Sequence, residues 1–400
     1  MEILIFIEFL LRALIRIYLK VYFLLNYMNK IVFLMYKNRS NIILLLFSVI
    51  LAFLFIEIAN YLFYSGDYYV WPPYLNEVFL PNSSIMSGIT GASFFTINEL
   101  GYRGPLIKDK DKEYRILTMG GSTTEELYLD DNETWPYLLM KNLNMTNDGR
   151  QIIAMNIGKS GHNTRDHIIQ LKSLIPLYKP DLVILMVGAN DMLLKLSKRW
   201  VWKPFDENTY DYTKSFSYIS DYSFKSSISY KIYNMLSWEL DSQFKEQDVV
   251  GDSIMESRLE RKNSKSIINE IPDLALALDD YEGNLGRLIE IAQENNVSVI
   301  FSTQPFLWKE NMSKEEDSSL WMTTDFNGNF YPVKTMSDSM EKFNLRLLSF
   351  CAKNKKTVCF DLERKVPKSL NYFYDDMHFN ENGAEFVAEQ FARYFKDHHL

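Results

Sequence analysis

Ser122 lies in a setting that suits a nucleophile. It follows Gly120 and Gly121 directly after an apolar, strand-like run, and an amphipathic stretch comes next in the chain. A serine on a tight glycine turn between a strand and a helix presents its hydroxyl at the edge of a sheet. Backbone amides at the start of such a helix stabilise negative charge beside it. The pattern predicts a reactive serine wherever a base lies within reach.

His378 is the best candidate for that base among five histidines. It lies on a predicted loop before the last helix, and Asp375 precedes it by three residues. Such a carboxylate can hold one imidazole nitrogen and leave the other to take a proton from serine. Alone, an Asp-x-x-His sequence is more often structural. The Gly-Gly-Ser-Thr turn could also cradle a phosphate, although the third glycine of G-x-G-x-x-G and the lysine of a P-loop are both missing.

Two further groups could stabilise an oxyanion. Gly161 follows the second strand-like run and offers an unobstructed amide, while Asn190 follows the third run and offers a side-chain NH₂. Asn190 and Asp191 could instead cap a helix, as such pairs commonly do. His162 either lines the substrate pocket or caps the following helix. Because ligands bind outside the carboxyl ends of parallel strands, these groups are expected to meet Ser122 at one edge of the sheet.

The elements that position these residues alternate regularly from residue 114 onward. Strands are predicted at 114–119, 151–157, 181–187, 298–303 and 357–362, and helices at 133–146, 163–178, 281–296, 337–354 and 382–396. Nearly continuous apolar strands separated by helices indicate a parallel sheet covered on both faces. Right-handed crossovers then produce a three-layer α/β/α sandwich with a five-stranded parallel sheet.

The four polar blocks occur in the order that is typical of the SGNH (GDSL-like) hydrolase superfamily, namely Ser122, Gly161, Asn190 and Asp375-x-x-His378. This resemblance implies a flavodoxin-like sandwich, no metal, no cofactor, and hydrolysis of acyl esters through an acyl-serine. Residue by residue, it implies that Ser122 attacks, that His378 is the base and that Asp375 orients it. The amide of Ser122, with Gly161 and Asn190, would form the oxyanion hole.

The resemblance covers about residues 95–396 and departs from the superfamily pattern at one position. The first block usually reads Gly-Asp-Ser, whereas Gly121 replaces the aspartate here. That aspartate is not the triad acid, so we expect altered local hydrogen bonding and not a loss of catalysis. The lead-in at 98–104 is similar to that of membrane-anchored members of the superfamily.

Residues 42–64 are apolar apart from Ser48, Glu57 and Asn60, and the segment 41–64 is predicted to be a transmembrane anchor. A helix of this length, at about 1.5 Å per residue, crosses a bilayer core of about 30 Å. A buried core helix is the alternative, but such helices are usually shorter. No convincing small-residue cleavage site follows, which predicts an uncleaved single-pass anchor.

The charges that flank this segment predict its orientation. Lys30, Lys37 and Arg39 precede it, and Asp67 and Glu77 follow it. The positive-inside rule then places the remainder of the chain outside the cytoplasm. The basic, apolar leader at 1–40 is less distinctive. Its first 27 residues read as an interfacial helix, as a second span, or as translation assigned upstream of a true start at Met28.

Charge and cysteine content restrict the class of protein further. The net charge is −8, yet residues 1–40 contain six basic and two acidic side chains, so the rest of the chain is more acidic than the total suggests. An acidic body argues against binding to nucleic acid. Cys351 and Cys359 are too few for a disulfide scaffold or a zinc site of the CxxC type. They either pair across a helix-to-strand turn or remain buried free thiols.

The expected organisation is therefore a leader, an anchor, a lead-in at 65–113 and a catalytic domain at 114–400 with an insertion at 192–280. The insertion is rich in aromatic residues, among them Trp200, Trp202, Tyr210 and Tyr212. It forms either a lid or substrate platform, or a helical excursion that only packs on the sandwich.

The function predicted from these features is that of an extracytoplasmic esterase. It would remove acyl groups, with acetyl as the expected group, from a glycan or a lipid. An O-acyltransferase that acts on an exported polysaccharide with the same triad is the alternative. A glycan-binding protein with a vestigial triad is a third hypothesis, against which the intact Ser122, Asp375 and His378 argue.

Overall fold

The computed structural model describes residues 39–63, 68–197, 202–211, 248–264, 266–270, 273–325, 327–354 and 357–398, with a few residues between 215 and 236. The predicted leader at 1–40 lies outside these ranges except for its last two residues, Arg39 and Ser40. Two compact units make up the described chain. The first contains the N-terminal helix, and the second contains the remaining strands and helices.

Helix α1 (Arg39–Phe63) is a single apolar helix of 25 residues. Its segment Arg39–Asn60 is 22 residues long and contains an 18-residue stretch with a mean hydropathy of 3.0, so by length and composition it can cross a membrane. The Ser48 hydroxyl donates to the carbonyl of Leu44 at 2.8 Å, which satisfies this polar group within the helix. The apolar helix predicted at 41–64 is confirmed, and its place in a membrane stays a prediction.

The second unit is built on a parallel sheet. Its five strands are β4 (Glu113–Gly120), β5 (Gln151–Asn156), β6 (Leu182–Met186), β9 (Ser298–Ser302) and β10 (Val358–Phe360). They lie in the order β10-β9-β6-β4-β5, and every neighbouring pair is parallel. Every residue of the central strand β6 is buried, because helices cover both faces of the sheet. The predicted five-stranded sheet is confirmed.

The helices of this unit pack in two groups, on opposite faces of the sheet. The longer ones are α3 (Trp135–Leu143), α4 (Thr164–Tyr178), α5 (Ala189–Leu196), α7 (Ala275–Glu294), α9 (Val333–Lys353) and α10 (Glu381–Asp397). Helix α3 packs on α10, where Trp135 stacks on Phe391 with ring centroids 5.2 Å apart. Helix α7 packs on both α4 and α9. The result is the predicted three-layer sandwich.

The lead-in and the insertion form a second sheet together. Strand β2 (Asn76–Pro81) pairs antiparallel with β3 (Ser93–Thr96) and parallel with β8 (Asp248–Val250). A shorter pair joins β1 (Tyr68–Tyr69) to β7 (Tyr218–Ile219). Helix α6 (Asp252–Asn263) follows β8 directly. The insertion is therefore joined by backbone hydrogen bonds to the segment that precedes the sandwich.

Cys351 and Cys359 form a disulfide, with their Cα atoms 6.0 Å apart. Cys351 lies in the last turn of α9, and Cys359 lies in β10. The bond therefore joins the end of a helix to the edge strand that follows it. Of the two alternatives drawn from the sequence, the structure contains the paired one.

Candidate active site

Ser122 lies at the point where the order of the sheet reverses. Strand β4 is flanked by β5 on one side and β6 on the other, so a crevice opens at the carboxyl end of β4. Ser122 begins the four-residue helix α2 (Ser122–Glu125) directly after that strand. A side chain at Gly120 would place its Cβ atom 2.8 Å from the carbonyl oxygen of Met186. Glycine is therefore needed for the close approach of β4 and β6 below the serine.

The predicted triad residues meet at this position. His378 Nε2 lies 2.8 Å from Ser122 Oγ, although the two residues are 256 positions apart in the chain. His378 Nδ1 lies 2.9 Å and 2.8 Å from the two carboxylate oxygens of Asp375. A carboxylate only accepts hydrogen bonds, so Nδ1 carries the proton and Nε2 accepts from the serine hydroxyl. This arrangement of serine, imidazole and carboxylate can remove the serine proton.

Asp375 is fully buried and is held by several donors besides His378. Its Oδ1 atom accepts from the amides of Met377 and His378, and its Oδ2 atom accepts from Trp321 Nε1 at 2.8 Å. Burial by itself would raise the pKa of Asp375, but the charge of His378 and these hydrogen bonds lower it below its ordinary value. The carboxylate therefore stays ionised in the interior of the protein.

The pKa of His378 is moved in the opposite direction. Burial by itself would lower it, but the charge and hydrogen bond of Asp375, with a contribution from Asp376, raise it above the ordinary value of imidazole. The imidazole ring lies nearly parallel to that of Trp321, at an interplanar angle of 8°. Tyr374 lies nearly parallel as well, at 12°. The ring is thus fixed in orientation as well as in tautomer.

The groups predicted for an oxyanion hole surround the same serine. The amides of Ser122 and Gly161 have no hydrogen-bond acceptor among the described residues. Gly161 has a φ of +81°, a conformation that glycine adopts without strain. Asn190 Nδ2 donates to the carbonyl of His162 at 2.8 Å, which fixes the orientation of the amide and leaves its second N–H for another acceptor. Asn190 lies inside α5, whose N-cap is Gly188, so the capping alternative is wrong.

The structure explains the departure at Gly121. A Cβ atom at this position would lie 2.3 Å from Asn190 Nδ2. Asn190 therefore occupies space that any larger residue at position 121 would need. The amide of Asn190 packs directly against the glycine, and the expected difference in hydrogen bonding from a Gly-Asp-Ser sequence stays a prediction.

His162 does not cap the following helix, and its part in substrate binding stays a prediction. Its ring is buried, and its Nδ1 atom lies 2.8 Å from Gln170 Nε2. It does not border the large pocket described below, but it borders a small cavity of about 10 Å³ that Ser122 and Asn190 also line. The cap of α4 is Asn163, which forms a capping box with Asp166. What His162 contributes is its carbonyl oxygen, which anchors Asn190.

Ser122 and His378 open onto a pocket of about 430 Å³. Side chains from several elements form its wall, among them Glu125, Tyr128, Leu193, Ser253, Ile254 and Trp321. Ser253 and Ile254 belong to α6, so the insertion supplies part of the wall. The alternative in which the insertion only packs on the sandwich is wrong.

Of the aromatic residues proposed as a sugar platform, Trp202 and Tyr210 are described, and neither is part of this wall. Trp202 packs near Lys195, whose Nζ atom lies 4.8 Å from its ring centroid. Tyr210 donates from its hydroxyl to Asp166 at 2.7 Å. Trp200 and Tyr212 lie outside the described residues.

Sequence reasoning missed three residues of the site. Trp321 supports Asp375, Glu125 lies in the pocket wall, and Arg258 of α6 donates to the carbonyl of Tyr374 at 2.8 Å. Glu125 follows Ser122 by three residues, so its closeness in the sequence was a signal that could have identified it as part of the site. No spacing links Trp321 or Arg258 to the triad. Within the described ranges, no group of three or more histidine, cysteine or acidic residues is placed to bind a metal ion.

Comparisons with known proteins find solved structures and a family profile that are similar to this chain. The chain is similar to the crystal structure of a GDSL-like lipase from Bacteroides thetaiotaomicron, with 15% identity and a TM-score of 0.39 over 73% of this chain and 93% of that one. It is also similar to a catalytic mutant of an acetylxylan esterase from Geobacillus stearothermophilus, with 13% identity and a TM-score of 0.39 over 70% and 93% of the two chains. A search of curated protein sequences finds no match.

The sequence profile of the GDSL-like lipase/acylhydrolase family matches residues 118–386. This range begins within β4, before Ser122, and ends within α10, after His378, so it contains all four polar blocks. It is narrower than the resemblance at about 95–396 and does not include the lead-in. Since it covers well over half of the chain, the protein belongs to the GDSL-like lipase/acylhydrolase family and is an SGNH-type serine hydrolase that acts on acyl esters.

Proposed function

We propose that Ser122, His378 and Asp375 are the catalytic triad of this hydrolase. The observation that carries the proposal is the 2.8 Å distance between Ser122 Oγ and His378 Nε2, with Asp375 hydrogen-bonded to the other ring nitrogen. Serine is a weak nucleophile until an adjacent base takes its proton. The orienting carboxylate stabilises the imidazolium that forms.

The reaction takes place in two steps. Ser122 Oγ attacks the ester carbonyl while His378 takes the serine proton, and His378 then gives that proton to the departing alcohol oxygen. An acyl-serine remains. His378 next removes a proton from water, the water oxygen attacks the acyl carbon, and the acid leaves as the serine recovers its proton.

The oxyanion that forms in each step is held by three N–H groups. They are the amides of Ser122 and Gly161 and the second N–H of Asn190. These donors support the proposal because they are fixed before the substrate arrives, so no reorganisation is needed as charge develops.

The proposed substrate is an acyl ester, with acetyl as the expected group, of a glycan or a lipid outside the cytoplasm. The pocket of about 430 Å³ supports this because it has room for the alcohol part as well as the acyl group. The charges on either side of α1 support the location.

Two measurements test the proposal. Purified protein should react with a serine-directed fluorophosphonate, and Ser122→Ala should abolish labelling and acetate release together. Labelling that persists in Ser122→Ala would show that another residue is the nucleophile. Acetate release should also be measured with and without a glycan acceptor. Acyl transfer to the acceptor in place of release would identify an O-acyltransferase.

A further inference from the structure

Glu125 is a carboxyl group in the pocket wall that the triad does not use. It is the last residue of α2, three positions after Ser122, and only 2% of its surface is exposed. Its Oε2 atom accepts hydrogen bonds from the amide of Ser160, at 3.1 Å, and from the Ser160 hydroxyl. One oxygen of the carboxyl group is therefore fixed in place.

The other oxygen, Oε1, has no hydrogen-bond donor among the described residues. This atom is not fully enclosed by the protein. Because Glu125 borders the pocket, a molecule in the pocket can reach it. An acceptor that is held in place at the wall of a pocket can accept a hydrogen bond from a molecule that binds there. The fixed carboxyl group thus presents an acceptor to whatever occupies the pocket.

We propose that Glu125 Oε1 accepts a hydrogen bond from a hydroxyl group on the alcohol part of the substrate, and so selects esters of polyols, such as sugars, over esters of simple alkyl alcohols. This inference rests on the proposed function, because it takes Ser122 and His378 as the reacting centre. Ser160, Asn163, Tyr128 and Trp321 line the same pocket. They combine small polar groups with aromatic rings, which suits a polyol.

The charge around Glu125 favours a neutral donor over a cation. Burial raises its pKa to about 7, whereas the Ser160 hydrogen bonds and the charges of Lys159 and His378 lower it. An ammonium group on the substrate would meet repulsion from Lys159, and from His378 whenever that ring is protonated. At pH 8 the group is largely ionised, and an ionised acceptor forms stronger hydrogen bonds than a neutral one.

Glyceryl monoacetate and propyl acetate provide a matched pair of probes. They share a three-carbon skeleton, and only the first has free hydroxyl groups on the alcohol part. In Glu125→Gln the amide oxygen can still accept from Ser160, while the NH₂ group replaces the ionised acceptor in the pocket. With the full chain in detergent at pH 8, kcat/KM for glyceryl monoacetate should fall about tenfold or more. The value for propyl acetate should fall much less, since this ester offers the carboxyl group no hydroxyl and glutamine has nearly the same size and shape as glutamate.

The controls separate this role from others. Glu389→Gln alters an exposed carboxyl group on α10 and should leave kcat/KM unchanged for both esters. Ser160→Ala keeps the carboxyl group of Glu125 but removes one of the hydrogen bonds that fix it. In this variant kcat/KM for glyceryl monoacetate should fall by a smaller factor, and again by more than the value for propyl acetate. The variant therefore tests the inference even if Glu125→Gln does not fold. Equal losses on both esters would overturn the inference, because Glu125 would then act through His378 or the fold. Unchanged kcat/KM for both esters would overturn it as well. If wild-type protein turns over neither ester and takes up no fluorophosphonate, the proposed function itself is wrong and the inference with it.

Discussion

At the scale of single residues, the site depends on opposing effects on the same groups. Burial disfavours charge on both His378 and Asp375, yet their mutual attraction raises one pKa and lowers the other. Each group is therefore stabilised in its charged form by its partner. The imidazolium that forms during the reaction meets a carboxylate that is already ionised and already fixed.

This pairing predicts how activity depends on pH. His378 must be neutral to act as a base, and its pKa is raised above the ordinary imidazole value of about 6.5. As the pH falls through that raised pKa, kcat/KM should fall tenfold per pH unit. Asp375→Asn removes the charge that raises the pKa, so the acid limb should move to lower pH while kcat falls about 10⁴-fold. A pH–rate profile of both proteins checks this. An acid limb in the same place for both would show that Asp375 does not act on His378.

Asn190→Ala separates an oxyanion donor from a structural residue. Loss of one such donor typically lowers kcat by about 10²–10³-fold, or about 3–4 kcal/mol of barrier. KM should change little, because the ground-state carbonyl uses the donor less. The lost bond to His162 should cost only about 1 kcal/mol of stability. Steady-state kinetics and urea unfolding measure the two effects. A variant that unfolds early but turns over normally would refute the oxyanion role.

At the scale of elements, the insertion helix α6 is tied to the catalytic loop. Arg258 donates from Nη2 to the carbonyl of Tyr374, from Nη1 to that of Ile85 and from Nε to that of Ser319, at 2.7–2.8 Å. Tyr374 immediately precedes Asp375 in the chain. One guanidinium group therefore holds the lead-in, the insertion and the loop that carries two triad residues in a fixed relation.

Arg258→Gln should therefore impair catalysis as well as stability. Small misplacement of catalytic groups can cost about tenfold to a hundredfold in kcat. The matched control is Arg261→Gln in the same helix, since Arg261 bonds to Asp317 and Thr323 instead. Both variants should lower the melting temperature, but only Arg258→Gln should lower kcat when assayed well below it. Equal kcat values would show that Arg258 is structural alone.

The disulfide between α9 and β10 makes a prediction about stability. The two cysteines are separated by 8 positions in the sequence. Loss of a disulfide that closes so short a loop should lower the free energy of unfolding by about 2–3 kcal/mol. A Cys351→Ala, Cys359→Ala double variant should lose this much in denaturant unfolding and keep its kcat, because neither residue borders the pocket. Two free thiols in wild-type protein, purified from its native compartment without reductant, would show that the bond does not form there.

At the scale of the whole molecule, the features predicted from sequence are those with a local signal. Each of the five strands of the sheet lies within an apolar run of the sequence, including β10 with its three residues, and each predicted helix between them has its own amphipathic pattern. The predicted helix at 281–296 begins earlier, at Ala275, because apolar Leu274 and Ala277 extend its buried face. The order of the polar blocks in the sequence was enough to predict that Ser122, Asp375 and His378 lie together.

What could not be predicted depends on contacts between distant segments. Strand β8 has only three residues, and it forms a strand because it pairs with β2, far away in the chain. Trp321 reaches Asp375 because Asp376 accepts hydrogen bonds from the amides of Trp321 and Met322. Neither effect leaves a periodic pattern or a spacing that can be read from one sequence.

The orientation of the chain in a membrane gives the last prediction. Basic residues at 30 and 37 precede α1 and Arg39 begins it, while acidic residues at 67 and 77 follow it. Cationic loops are retained in the cytoplasm, so the catalytic domain should lie outside. Protease added to spheroplasts or sealed cells should digest residues 65–400 and spare the leader, whereas a cytoplasmic control protein should remain intact until lysis. Replacing Lys30, Lys37 and Arg39 with glutamate removes the bias and should protect the domain in part of the population. Complete protection of the wild-type chain in intact spheroplasts would place the domain inside and contradict an extracytoplasmic substrate.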